Sequence, residues 1–136
     1  VPAPRLLLDR SLGQRKLVAR LREAGWDVTT LAEYFGDERA QSMPDEEWIG
    51  EGTRAGFVLL AKDHMIAARP LEARAVYLHD ARVITLARGD LTAEQMGDLC
   101  LEHAAAIDRI AKVRPPFVFS LSPSGLRRKR LNWPAD

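Results

Sequence analysis

Three observations predict an α/β fold with a mostly parallel sheet covered by helices on both faces. Apolar runs of strand length recur along the chain, stretches with helical spacing separate them, and two of the runs lead into an aspartate. A brief apolar run without polar alternation reads as a strand buried on both faces, as in a parallel sheet. Strands that alternate with helices then imply a three-layer α/β/α domain.

The elements follow in order. Arg5-Leu6-Leu7-Leu8 is the first run, and it closes on Asp9. Ser11-Leu12-Gly13-Gln14 has the form of a capping box, with Ser11 as N-cap and Gln14 reaching back. Leu17, Val18, Leu21 and Ala24 recur at helical spacing, and Gly25 supplies the stop. Residues 26–31 are rich in β-branched side chains and read as a second strand. Residues 33–43 are polar and contain glycine, so a loop with at most a helical turn is expected. Pro44 followed by Asp45-Glu46-Glu47 opens a helix, because proline and carboxylates both suit a first turn. That helix passes through Trp48 and Ile49 to Gly56, and residues 57–61 form a third strand leading through Lys62 to Asp63.

Pro70 starts a helix carrying Leu71 to Val76, and residues 83–86 read as a fourth strand. Thr92-Ala93-Glu94-Gln95 is a second capping box. Behind it Met96, Leu99, Cys100, His103, Ile107 and Ile110 form one apolar stripe on a single long helix. Pro115-Pro116 ends that helix, and residues 117–121 read as a fifth strand. One domain over residues 1–121 is expected, followed by a basic, proline-containing surface tail over residues 122–136.

Composition narrows the function classes. With 136 residues, 46% hydrophobic and 29% charged, the chain suits one soluble globular domain. Its net charge of +1 gives no bulk reason for a nucleic-acid partner. Locally, Arg127-Arg128-Lys129-Arg130 is a basic cluster suited to RNA phosphate, to an acidic partner or to solvent. A single cysteine, Cys100, excludes an intrachain disulfide and a multi-cysteine zinc site, and suits a reducing cytoplasm. No apolar stretch reaches the ~18 residues of a membrane span, and no signal segment opens the chain, so no membrane association is expected. The chain contains no phosphate-binding loop, no Gly-x-Gly-x-x-Gly turn and no Gly-x-Ser-x-Gly elbow.

What remains is carboxylates. In open α/β sheets ligands bind outside the carboxyl ends of the strands, where Asp9 and Asp63 are expected. Asp45 opens the helix leading into the third strand, and Glu33 is a fourth candidate. Brought together, these acids repel, and Mg²⁺ or Mn²⁺ relieves that repulsion while leaving positions for phosphate oxygens. On repulsion alone, Asp9→Asn should leave the fold intact or slightly more stable. Taken singly, each acid also has a plain structural role. Asp9 and Asp63 suit turns or caps, Asp45 compensates a helix dipole, and Glu33 suits a solvated loop. His64, His79 and His103 show no metal-ligand spacing, and Cys100 reads as a small core hydrophobe.

Leu7-Leu8-Asp9, then Pro44-Asp45-Glu46-Glu47-Trp48-Ile49, then Gly-Phe-Val-Leu-Leu-Ala-Lys-Asp over residues 56–63 resemble the PIN-domain superfamily. The resemblance is to the compact PIN-like branch related to VapC-type toxins of VapBC toxin–antitoxin pairs, and it covers about residues 5–86. It implies an Mg²⁺- or Mn²⁺-dependent endoribonuclease in which Asp9, Asp45 and Asp63 are metal-binding catalytic acids. Glu33 falls near a further acid of the family. It also implies an RNA substrate and a cognate antitoxin protein, and a homodimer is a further candidate partner. The chain departs from the family after Asp63, where His64-Met65-Ile66 replaces a charged residue followed by Asp-Phe. The segment between the first two acids is also shortened. The alternative is therefore a non-catalytic PIN-like module that binds RNA or protein. A receiver-like domain would need paired acids after the first strand, which a lone Asp9 does not supply.

Overall fold

The structure, a computed structural model, describes residues 4–10, 12 and 15–134. In chain order the elements are β1 (Leu6–Leu8), α1 (Arg15–Glu23), β2 (Val28–Thr30), α2 (Leu31–Phe35), α3 (Asp37–Ser42), α4 (Asp45–Arg54) and β3 (Val58–Ala61). They continue with α5 (Pro70–His79), β4 (Arg82–Leu86), α6 (Ala93–Glu102), α7 (Ala104–Ile110), β5 (Phe117–Ser122) and β6 (Gly125–Lys129). One six-stranded sheet runs in the order β2-β1-β3-β4-β5-β6, parallel except for the antiparallel β5–β6 pair. This is the expected three-layer α/β/α domain.

Strand alternation divides the core in two. Leu6 and Leu8 face the side covered by Leu17 and Leu21 of α1, Met96 and Cys100 of α6, and Ile107 of α7. Leu7 faces the other side, with Ala40 of α3, Trp48 and Ile49 of α4 and Val76 of α5. Each such side chain removed from water contributes about 1.5–3 kcal/mol, so both faces hold the strands in register. Gly52 lets α4 lie directly on the sheet, since a Cβ there would come within 2.7 Å of Leu7 and 2.9 Å of Leu59. Gly50 does the same towards α5, where a Cβ would meet His79 Nε2 at 2.8 Å. This close seat fixes where the first turn of α4, and with it Asp45, emerges.

Four expectations meet different outcomes. The capping box at Ser11 and Gln14 lies outside the described residues. Residues 33–43 are not a loop but the end of α2 and all of α3, and α2 is started by the reciprocal capping box of Thr30 and Glu33. The single long helix is two, α6 and α7, broken at His103, whose φ of −110° and ψ of 22° are not helical. The apolar stripe survives the break because both helices pack on the same core.

The tail expected over 122–136 is corrected by β6, which pairs Arg127 with Ser120 and Arg128 with Phe119. Beyond it Leu131 packs on the α4–α5 side of the core, and the Asn132 backbone N–H donates to the Ala67 carbonyl at 2.8 Å. The physical reason is that charges suit an edge strand, where they discourage pairing with other chains. Among the described residues no helix is long and apolar enough to cross a membrane.

Candidate active site

The strand order reverses between β1 and β3: β2 lies on one side of β1, and the chain then crosses back to add β3, β4 and β5 on the other. A crevice opens at such a switch point, outside the carboxyl ends of the strands. Asp9 and Asp63 follow those two strands.

Asp9 is built into the sheet edge. It is 9% exposed, its backbone N–H donates to the Leu60 carbonyl at 3.0 Å, and both carboxylate oxygens accept main-chain hydrogen bonds. Oδ1 accepts from Leu12 N at 3.0 Å, and Oδ2 accepts from Lys62 N at 2.8 Å. The carboxylate thus joins the turn after β1 to the turn after β3. Asp45 is the first residue of α4, and its Oδ1 accepts from Trp48 Nε1 at 2.9 Å, with Trp48 itself buried. Asp63 is more open: its Oδ1 accepts from Met65 N at 2.8 Å, and its Oδ2 pairs with Arg69.

These three carboxylates, drawn from three different elements, border one pocket of about 210 Å³. Leu31, Ala40, Met43 and Trp48 supply its apolar wall, and Arg10 also lines it. Arg10 is steered by donation from Nη1 to the Gln41 carbonyl. A larger pocket of about 300 Å³ lies beside Leu91, Leu99 and Leu121, but none of the candidate acids lines it. Size therefore does not locate the chemistry.

Glu33 does not line the acidic pocket. Its Oε1 accepts from Thr30 N at 2.9 Å and from Arg22 at 2.7 Å. The Thr30 backbone bond first, and Arg22 second, hold its carboxyl below the ordinary value. The signal was in the sequence, since Thr-x-x-Glu is a capping box. The cluster Arg127, Arg128, Lys129 and Arg130 is fully on the surface, with Arg128 lying 5.9 Å over the Phe119 ring. Three strand spacings, about 14 Å, separate β6 from β3. The register carries the cluster from the level of Ala61 towards the amino ends of the parallel strands, away from the acids, so it does not line the site. Burial pushes the Cys100 thiol up to about 12, as expected of a core residue.

Arg10 and Arg69 were not singled out by the sequence. Arg10 directly follows Asp9, which is the cue that places it at the pocket. Arg69 had no such cue, because its reach to Asp63 depends on how residues 63–69 turn.

The donor set is oxygen-only, the kind that Mg²⁺ and Mn²⁺ prefer. Among the described residues no three His, Cys, Asp or Glu side chains form a ready metal cage. Mg²⁺ commonly takes only one or two carboxylates and keeps several waters. Three carboxylates bordering one pocket are a donor set of that kind, and Asp9, Asp45 and Asp63 are the residues that would hold such an ion.

The PIN like domain family matches residues 4–88, from β1 through β4, a span that contains all three acids. The chain belongs to the PIN-like domain family. Among individual proteins it is similar to "Putative ribonuclease VapC45" of Mycobacterium tuberculosis, with 35% identity over 123 residues covering 90% of this chain and 89% of that one. Family and relative together mark a VapC-type PIN domain. No solved structure matches significantly.

Proposed function

We propose that this protein is a divalent-metal-dependent endoribonuclease that hydrolyses RNA phosphodiesters, and that it is the toxin of a toxin–antitoxin pair acting in the cytoplasm. The observation that carries the reading is that Asp9, Asp45 and Asp63 border a single pocket at the switch point of the sheet. Family membership and the name of the mycobacterial relative support it.

On this reading the three aspartates hold Mg²⁺ or Mn²⁺. When bound, the ion stabilises charge on the phosphodiester and makes water a better nucleophile. The chain's own residues set the geometry. Asp9 presents a carboxylate anchored by two main-chain donors, and Trp48 keeps Asp45 turned towards the pocket. Leu31, Ala40 and Met43 limit the water around the acids, and Arg10 supplies a cation for a phosphate oxygen. Arg127 to Arg130 extend the RNA contact along the sheet edge, as counterion release favours. A cognate antitoxin and a second copy of the chain are the protein partners that this reading carries.

A second reading, a non-catalytic module that binds RNA or protein, is favoured by one observation: Asp63 is already paired with Arg69. Incubation with end-labelled RNA separates the two. The enzyme predicts cleavage with Mn²⁺ or Mg²⁺ that is lost in chelator and in Asp9→Ala, Asp45→Ala and Asp63→Ala. RNA binding without cleavage under either metal would leave the module. Restored growth on co-expression of a small neighbouring protein would identify the antitoxin.

A further inference from the structure

Arg69 is the residue before α5, and the turn leading to it is closed by short-range bonds. The Met65 N–H donates to Asp63 Oδ1 at 2.8 Å, and the Arg69 N–H donates to the Met65 carbonyl at 3.0 Å. Each bond shares Met65, so the main chain itself carries the Arg69 side chain back onto Asp63. The guanidinium pairs with Oδ2, the carboxylate oxygen that Met65 leaves free. Asp63 is not the only acid acting on it. Its affinity for its proton is raised first by the bond and charge of Asp63, then by Glu72 and Asp45. Arg69 therefore stands where the fields of two of the three pocket acids overlap.

We propose that Arg69 is the pocket's own counter-cation and competes with the divalent ion for Asp63, so that metal uptake exchanges a guanidinium for the ion. The inference rests on the proposed metal site and adds a residue that sets how readily that site loads. A guanidinium does not deprotonate in the working pH range, so the competition does not depend on pH there. Nor is the competitor strong. The two side chains are 48% and 31% exposed, and water screens such pairs. Arg10 is the contrasting cation: it lines the acidic pocket, which Arg69 reaches only through Asp63, but its guanidinium is bonded to the Gln41 carbonyl.

The test is Mn²⁺ binding without RNA, read from the signal of free Mn²⁺ in electron paramagnetic resonance, for the parent, Arg69→Gln and Arg10→Gln. Competition predicts that Arg69→Gln binds Mn²⁺ about 1.5- to 5-fold more tightly, the range that screened ion pairs support. Arg10→Gln should change the affinity less. A scaffold role for Arg69 would weaken binding instead. Unchanged or weaker binding in Arg69→Gln, or equal tightening in Arg10→Gln, would overturn the proposal.

Should Arg69→Gln fail to fold, the parent gives the answer by nuclear magnetic resonance. Titration with Mg²⁺ should shift the Arg69 Nε–H resonance and leave that of Arg22, paired with Glu33, in place. An Arg69 resonance unmoved at saturating Mg²⁺ would overturn the exchange. A parent that takes up no Mn²⁺ would remove the metal site itself, and the competition with it.

Discussion

Asp9 and Asp63 close neighbouring parallel strands at one edge of the sheet, yet the fold holds them in opposite ways. Asp9 is nearly buried, and two main-chain N–H groups from different turns fix both of its oxygens. Asp63 is partly exposed and shares its oxygens between one main-chain N–H and a mobile type of partner, an arginine side chain. The first carboxylate is part of the scaffold. The second can change partners. A pocket that must take up an ion gains from both, since one acid defines the place and the other adjusts to what arrives.

The largest expected effect tests the fixed member. Asp9→Ala removes the acceptor for two N–H groups at a buried edge and should cost roughly 2–4 kcal/mol of stability, measured by denaturant unfolding in chelator. Asp9→Asn presents an amide to donors and should cost roughly 1–3 kcal/mol. Charge repulsion alone predicted a neutral or stabilising change, and the two main-chain bonds reverse that sign. An asparagine variant that melts at or above the parent would break the comparison on this side.

Asp63→Asn probes the adjustable member. Its stability should stay within about 1 kcal/mol of the parent, because the ion pair it removes is solvent-screened. RNA cleavage should nevertheless fall on the order of 100-fold, the loss that imperfect placement at a reacting centre can bring. A variant that loses stability and activity together would make Asp63 a second scaffold residue.

The remaining effects are smaller. Arg127→Ala with Arg128→Ala should weaken RNA binding and flatten its salt dependence, by about 0.7 in log–log slope for each single-strand phosphate that is no longer neutralised. An unchanged slope would remove β6 from the RNA surface. Glu33 serves as the control acid outside the pocket. Its folded pKa is lowered, so its contribution to stability is complete above the ordinary value of 4.5 and is lost as pH falls through the lower folded value. Glu33→Gln should remove that acid limb from a melting-versus-pH curve while keeping the cap. Its Mn²⁺ affinity should match the parent's, and a clear loss would bring Glu33 back to the site.

Much of this was legible in the residues. Leu6-Leu7-Leu8 followed by Asp9, and the run ending at Asp63, were readable because fully buried parallel strands have no polar alternation and their ends are marked by turns. Asp45 was placed by Pro44 and the acids beside it. Other features depend on tertiary packing. The break at His103 leaves no gap in the apolar stripe, since α6 and α7 cover the same core. β6 was hidden by its own charges, although Ser122-Pro123-Ser124-Gly125 carries the turn residues of a hairpin. Glu33 is explained by its spacing from Thr30, which makes a capping box and leaves its carboxylate no part in the pocket. The Arg69–Asp63 pair forms only through the turn over residues 63–69, which no local pattern announces.

The central claim is that one divalent ion is held among Asp9, Asp45 and Asp63, and anomalous diffraction from a crystal soaked in Mn²⁺ tests it most directly. The account predicts a single strong peak inside the pocket, contacted by Asp9 or Asp63 directly and by the remaining acids directly or through water, with Arg69 turned away from Asp63. A peak elsewhere on the chain, or an empty pocket at saturating Mn²⁺ with Arg69 still paired to Asp63, would contradict it.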